Sequence, residues 1–171
     1  MPLSTDSVSH LAERDFAFFY RVFLKGKMSA MHQEIIDSVM NDKRHMVVMA
    51  ARGHFKTTLL SQAFPLWVCF RSPSSNPQQI IILSASMEQS TDILRGIKRM
   101  IANSPVLQER LIPESLHDVK WSETQLEFKN GHRIMSVPFG DSVRGKHVNY
   151  CILDDVLTEE TTNVEEAKNI F

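Results

Sequence analysis

Two short runs in this chain carry residue types and spacing that suit phosphate chemistry. The first is Met46-Val-Val-Met-Ala-Ala-Arg-Gly-His-Phe-Lys-Thr-Thr58. It opens with an apolar stretch, Met46 to Ala51, whose first five residues read as a strand. It turns through Arg52, Gly53, His54 and Phe55, and it ends in Lys56-Thr57-Thr58 where a helical pattern begins. Strand, turn, lysine, hydroxyl and helix form the physical plan of a phosphate-binding loop. Backbone N–H groups turned inward at a helix start bind anions. The lysine neutralises terminal phosphates, and the hydroxyl after it holds Mg²⁺. The usual pattern is G-x-x-x-x-G-K-[ST]. Here Ala50 and Phe55 stand in the glycine slots, which leaves Gly53 to relax the turn. The same residues also describe an ordinary strand-to-helix turn with an exposed lysine.

The second run is Asn149-Tyr-Cys-Ile-Leu-Asp-Asp155, an apolar stretch read as a buried strand and ending in two carboxylates. Such a pair is costly to bury unless something positive holds it. In open α/β sheets, ligands sit at the carboxyl ends of strands. Asp154 there suits a Mg²⁺ held through water, and Asp155 suits the polarisation of an attacking water. The competing reading is a helix cap followed by a solvated acid. An upstream phosphate-loop candidate, with strands and helices alternating between, favours the nucleotide reading.

The elements that must position these runs follow from periodicity. Residues 1–8 read as a loose start. Leu11, Phe16, Phe19, Tyr20, Phe23 and Leu24 recur at helical spacing and predict a packing helix over 11–24, broken by Lys25-Gly26-Lys27. Ser29 is placed to cap a second helix with Ile35, Ile36, Val39 and Met40 on its inner face and Gln33 on its first turn. A helix from Thr58 to Phe70 contains Pro65, which should kink it. Ile80 to Leu83 is a strand buried on both faces, followed by a Ser86-capped helix carrying Ile93, Leu94, Ile97, Met100 and Ile101. On that helix Arg95, Lys98 and Arg99 are read as solvated charges in preference to a DNA contact. Pro105 to Pro113 is a short connecting helix or turn. Gln125 to Val137 reads as a hairpin turning at Asn130-Gly131. Ser142 to His147 is a polar loop with two cations, and Val156 to Glu166 is acidic.

Composition narrows the class. The 171 residues suffice for one domain with a core, and 43% hydrophobic with 23% charged residues reads as globular. A net charge of −1 excludes a whole-surface field that draws nucleic acid or membrane. Cys69 and Cys151 lie in separate apolar runs without metal spacing, which predicts buried thiols in a reducing compartment. No apolar run approaches the roughly 18 residues of a membrane span, and the N-terminus has no signal-peptide core.

Taken in order, these motifs resemble the N-terminal ATPase part of the large terminase subunit of tailed bacteriophages, the DNA-packaging motor. His32-Gln33 before an amphipathic helix is similar to that family's adenine-binding glutamine motif. Ala51-Arg-Gly-His-Phe-Lys-Thr-Thr58 is similar to its variant phosphate loop. Leu66-Trp-Val-Cys-Phe70, Ile82-Leu-Ser-Ala-Ser86, Val143-Arg-Gly145 and Tyr150-Cys-Ile-Leu-Asp-Asp155 follow in the family's order. The resemblance covers residues 28–171.

The resemblance implies a RecA-like P-loop NTPase: an α/β fold with a mostly parallel sheet, helices on both faces and a β-hairpin. Residues 1–28 would be an N-terminal helical segment and 29–171 the ATPase domain. It implies ATP and Mg²⁺ as ligands. Gln33 would read adenine. Arg52, Gly53, His54, Phe55, Lys56, Thr57 and Thr58 would cradle phosphates, with Thr57 and Asp154 on Mg²⁺. Asp155 would be the catalytic acid, with Glu159 or Glu160 as substitutes. Arg52 would approach the γ-phosphate from within the subunit, and Arg144 would reach a neighbouring subunit's site. The implied partners are double-stranded DNA, the portal protein of the procapsid, the small terminase subunit and further copies in a ring, in the host cytoplasm and without a membrane. A helicase-like translocase, or a nucleotide-binding assembly module without turnover, are the alternatives. In this class a later strand inserts between the Walker A and Walker B strands. The chain reaches Phe171 with no apolar strand candidate after Leu157, and without the family's nuclease domain. The expectation is therefore a fragment or split product, truncated after Walker B. Its sheet of Met46–Ala50, Ile80–Leu83 and Asn149–Leu153 would lack the central member, leaving it poorly folded and nearly inactive alone.

Overall fold

The computed structural model describes residues 5–41, 46–49, 53–117, 119–140 and 147–156. It is a mixed α/β fold around an open four-stranded sheet. The strands are β1 (Gln79–Ser84), β2 (Gln125–Glu127), β3 (Arg133–Pro138) and β4 (Tyr150–Asp154), in spatial order β2-β3-β1-β4. β3 and β4 flank β1 in parallel, and β2 pairs with β3 antiparallel as the edge hairpin. The hairpin turns where Asn130-Gly131 predicts it, with Gly131 at φ 81°, a conformation that costs a glycine nothing.

The helices are α1 (Thr5–Arg14), α2 (Phe16–Val22), α3 (Ala30–Asn41), α4 (Phe64–Arg71), α5 (Met87–Ala102) and α6 (Pro105–Leu111). The loose start ends earlier than its polarity suggests, because α1 begins at Thr5. The expected single helix over 11–24 is two, because the Asp15 carboxylate accepts the Phe18 N–H and starts a fresh N-terminus. Both pack into the main core. The Trp67 indole N–H donates to the Ala12 carbonyl at 2.8 Å, and Phe16 and Phe19 stack on Trp67 and Phe70. Ser86 caps α5 as expected, accepting from the Gln89 N–H. Before α4 the chain runs as a π-helix, Thr57–Ala63, in which the Phe64 N–H reaches back five residues to the Leu59 carbonyl. Pro65 explains the junction. It has no N–H to give, so it enters only at the first turn of α4.

Side-chain alternation sorts the sheet into two unequal faces. Ile80, Ile82 and Ile134 join the main core with Leu94, Ile97, Leu107 and Leu66 of the helices. On the opposite face Ile81, Leu83 and Met135 form a smaller cluster, with Val137, Phe139 and Val156 packed against it. Helices were expected on both faces; those among the described residues lie on one. β4 was expected to be buried on both faces, yet Cys151 is exposed and Leu153 is 51% exposed. Of the two thiols expected to be buried, only Cys69 is.

The largest correction concerns Met46–Ala50. Residues 46–49 form no strand, and Val47 and Met49 are 86% and 91% exposed; Ala50, with Ala51 and Arg52, lies outside the described residues. β4 pairs with β1 on one side, and no described strand lies on its other side. Without a described strand to pair with, the segment forms no ladder, and of its side chains Val48 packs against the main core. Among the described residues no helix is long and apolar enough to cross a membrane.

Candidate functional site

The parallel register decides where Asp154 goes. β4 is in register with β1 from Tyr150 opposite Ile80 to Asp154 opposite Ser84. Alternation then puts Tyr150, Ile152 and Asp154 on the face of Ile80, Ile82 and Ser84, which is the helical face. Asp154 is thus the last residue of its strand, on the side from which the Thr57–Ala63 segment descends. The Thr57 Oγ1 hydroxyl donates to Asp154 Oδ1 at 3.1 Å. Ser84 closes the row beside it, its hydroxyl 2.6 Å from that of Ser90.

Burial raises the Asp154 carboxyl above its ordinary value. The Thr57 hydroxyl bond opposes this, the Asp155 charge adds to it, and the Ser61 hydroxyl and Lys56 charge pull it back. Desolvation wins, so this carboxylate is short of positive charge. Thr57 and Asp154 supply two hard oxygens 3.1 Å apart, a donor set that fits Mg²⁺ bound by one or two protein ligands with water and phosphate completing the shell. Among the described residues no three acids, histidines or cysteines converge as an all-protein metal cage. Around Thr57 and Asp154 lies a cleft of about 140 Å³, also lined by Gln62, Gln89, Asp92, Ile93 and Asp155.

The turn before Thr57 holds two residues in the left-handed region of backbone space. Gly53 has φ 83°, and Phe55, in the second glycine slot, has φ 54°. A non-glycine residue there carries about 1–2 kcal/mol of strain. Its carbonyl accepts the Leu59 N–H at 2.9 Å, and its ring, 64% exposed, stands edge-on to His32 at 6.4 Å. His32 fastens the loop to α3. Its Nδ1 accepts the Ser29 N–H at 3.2 Å, so Nε2 carries the proton and donates to the His54 carbonyl at 3.1 Å. Asp155 leaves β4 with φ 47° and lines the cleft.

Of the residues singled out from sequence, the structure brings Lys56, Thr57, Asp154 and Asp155 together and sets Gly53, His54, Phe55 and Thr58 along the adjoining turn and helix start. Gln33 does not line the cleft; its amide donates to the Asp37 carboxylate at 2.8 Å on the exposed face of α3. Arg52, Arg144, Glu159 and Glu160 lie outside the described residues. Of the three α5 cations, Arg95 is held by Asp92 at 2.6 Å and lies 3.9 Å from Glu123, while Lys98 sits over the Trp121 ring at 5.9 Å. Sequence reasoning passed over His32 as a link, and Gln62, Gln89 and Asp92 as lining. The last two stand in the first turns after a strand's carboxyl end, the position where ligands of open α/β sheets gather.

No protein-family model matches the chain, and no curated protein is similar to it.

Proposed function

We propose that this chain is a RecA-like P-loop ATPase acting in a viral DNA-packaging motor, in the manner of a terminase large subunit. The observation that carries the nucleotide reading is the Thr57–Asp154 hydrogen bond. It joins a lysine-hydroxyl helix start to a strand-end carboxylate, two features that sequence alone leaves as separate weak signals. The motif order described above carries the packaging reading. Lys56 neutralises the terminal phosphates of ATP. Thr57 and Asp154 hold Mg²⁺, which when bound offsets charge on the phosphates. Asp155 orients the attacking water, so that catalysis is positioning plus charge neutralisation. Double-stranded DNA, the procapsid portal protein, the small terminase subunit and further copies of this chain in a ring are the partners of that reading. The host cytoplasm is its compartment.

One observation favours a second reading, a nucleotide-binding assembly module without turnover. Phe55 places an exposed ring in the glycine slot of the loop. Magnesium-dependent ATP turnover and nucleotide binding, measured on the wild type and on Lys56→Ala, separate the readings. Turnover lost with Lys56→Ala supports the ATPase. Binding lost with Lys56→Ala, in a wild type that turns nothing over, supports the module. Nucleotide bound equally by both proteins overturns the site. Stimulation by double-stranded DNA that requires the portal separates packaging from a helicase-like translocase.

A further inference from the structure

We propose that Gln89 is a contact for the terminal phosphate of the bound nucleoside triphosphate, through which the site tells a triphosphate from a diphosphate. The proposal rests on the nucleotide reading of the Thr57–Asp154 cleft and adds to it a residue outside both chemical motifs.

Gln89 stands on the first turn of α5, three residues after the Ser86 cap. An amide has two unlike ends, and here the hydrogen bonding tells them apart. The Ala85 backbone N–H donates to Gln89 Oε1 at 3.1 Å, so Oε1 must be the acceptor and Nε2 the free end. Gln89 lines the cleft with Thr57, Asp154 and Asp155, and among the described residues Nε2 has no acceptor. The acids beside it in the cleft are acceptors. Asp92, one turn on, is an acceptor held by Arg95 at 2.6 Å. Asp154 takes the Thr57 hydroxyl, and Asp155 is an acceptor as well. Apart from the Thr57 hydroxyl and the amides of Gln62 and Gln89, the polar lining of the cleft is carboxylate, and a bound terminal phosphate needs donors. The side chain, exposed at the cleft, is also tied at one end before any ligand arrives. Its carbonyl end is tied to the turn leaving β1 and its own backbone N–H to Ser86 Oγ at 3.2 Å. Pre-organisation of this kind spares the ordering cost of a long side chain on binding.

Capping alone would use the same acceptor and backbone bonds, so the test must remove the donor while keeping the acceptor. Gln89→Glu does that and leaves the turn tied. Gln89→Met removes both ends without adding charge. Binding of Mg²⁺ with ADP, and of Mg²⁺ with a non-hydrolysable ATP analogue, is measured by calorimetry on each full-length protein, alongside thermal midpoints. Both variants are expected to bind the triphosphate analogue about tenfold more weakly or worse, the scale of one hydrogen bond to a charged group, with ADP affinity unchanged. Gln89→Glu is expected to keep the wild-type thermal midpoint. An unchanged triphosphate-to-diphosphate ratio in both variants overturns the proposal. A ratio altered in Gln89→Glu but not in Gln89→Met also overturns it, because added charge alone then explains the loss. Lys56→Ala distinguishes the layers. If it binds both nucleotides as the wild type does, the cleft is not the nucleotide site. If it binds neither and the Gln89 variants keep the ratio, only the role of Gln89 fails.

Discussion

The Thr57 hydroxyl meets the Asp154 carboxylate at 3.1 Å across 97 residues of chain. One end of this bond starts a helix and the other ends a strand, so a shift of either element by one residue would break it. It also makes Asp154 the group whose chemistry is easiest to test. Burial raises its folded pKa above the ordinary aspartate value of 3.8. The folded state then holds the proton more tightly than the unfolded chain. The stabilising contribution is fully present below the ordinary value and is lost as pH rises through the raised one. In the absence of Mg²⁺, the stability of the wild type relative to Asp154→Asn should therefore fall as pH climbs from 3 toward neutrality. Asn keeps an acceptor for Thr57 and carries no charge to bury. Thermal midpoints of the two proteins across that range check this, and parallel curves would refute it. With Mg²⁺ and nucleotide the order reverses, because the amide is a poorer ligand; affinity should drop by about tenfold or more.

Phe55 offers a second test. Its φ of 54° costs about 1–2 kcal/mol, which glycine would not incur, although glycine gives back roughly 0.5–1 kcal/mol in unfolded-state entropy. Phe55→Gly should therefore leave stability within about 1 kcal/mol of the wild type. Phe55→Val, β-branched and worse suited to this backbone, should destabilise by roughly 1–2 kcal/mol. Chemical denaturation measures both. A large loss in Phe55→Gly would mean that the ring's edge-on contact with His32 matters more than the strain it carries.

Much of this architecture can be read in the residues themselves. The run of four apolar residues at Ile80–Leu83, the Ser86 cap, the Asn130-Gly131 turn and the strand end at Asp154 each have a local physical cause, and each appears where that cause puts it. What sequence leaves open depends on neighbours. Met46–Ala50 has the composition of a strand, but a strand exists only beside a partner, and residues 46–49 have none among the described residues. The single exposed face of β4 likewise reflects which helices pack where, which alternation within one strand does not encode. Within the site, Lys56, Thr57 and Asp154 carry a chemical signature. Gln89 and Gln62 do not, because an amide on a helix is ordinarily solvated and only the tertiary fold turns it toward the cleft.

Gln62 enters a third prediction through Gly96. Gln62 lines the cleft of Asp154 and also a larger one of about 520 Å³ bordered by Lys25, Arg99 and Asn103. A Cβ on Gly96, inside α5, would lie 2.3 Å from the Gln62 Nε2. Glycine in a helix interior costs about 1 kcal/mol relative to alanine, so Gly96→Ala gains helix propensity while displacing that amide. The obstacle is the far end of a flexible side chain, so stability should hold steady or rise by up to about 1 kcal/mol. Nucleotide affinity should change all the same, because Gln62 must move. If Gly96→Ala alters stability and affinity no more than a surface substitution on α5 does, Gln62 plays no part in shaping the cleft.

The last prediction concerns His132, which ties the hairpin to the loop before β1. His132 is fully buried. Its Nδ1 accepts the Gln78 N–H at 2.8 Å, so the proton sits on Nε2, which donates to the Ser72 carbonyl at 2.9 Å. A protonated ring has no lone pair for Gln78, and burial opposes its charge. Burial accordingly lowers its pKa below the ordinary 6.5, with the Ser72 carbonyl opposing the shift. The sign follows directly. Above 6.5 both the folded and the unfolded chain keep this ring neutral and the clamp contributes in full. As pH falls from 6.5 toward the lowered folded value, the unfolded chain takes up a proton that the folded state refuses, and stability drains away. His132→Ala leaves the Gln78 N–H and the Ser72 carbonyl without this partner, at a cost of about 2–3 kcal/mol near neutral pH. The gap between wild type and variant should then narrow as the pH is lowered from 7 to 5, because only the wild type loses the clamp. Urea denaturation of both proteins at a series of pH values measures that gap. A gap that stays constant or widens toward acid would show that His132 fills space without its hydrogen bonds holding the hairpin to the loop.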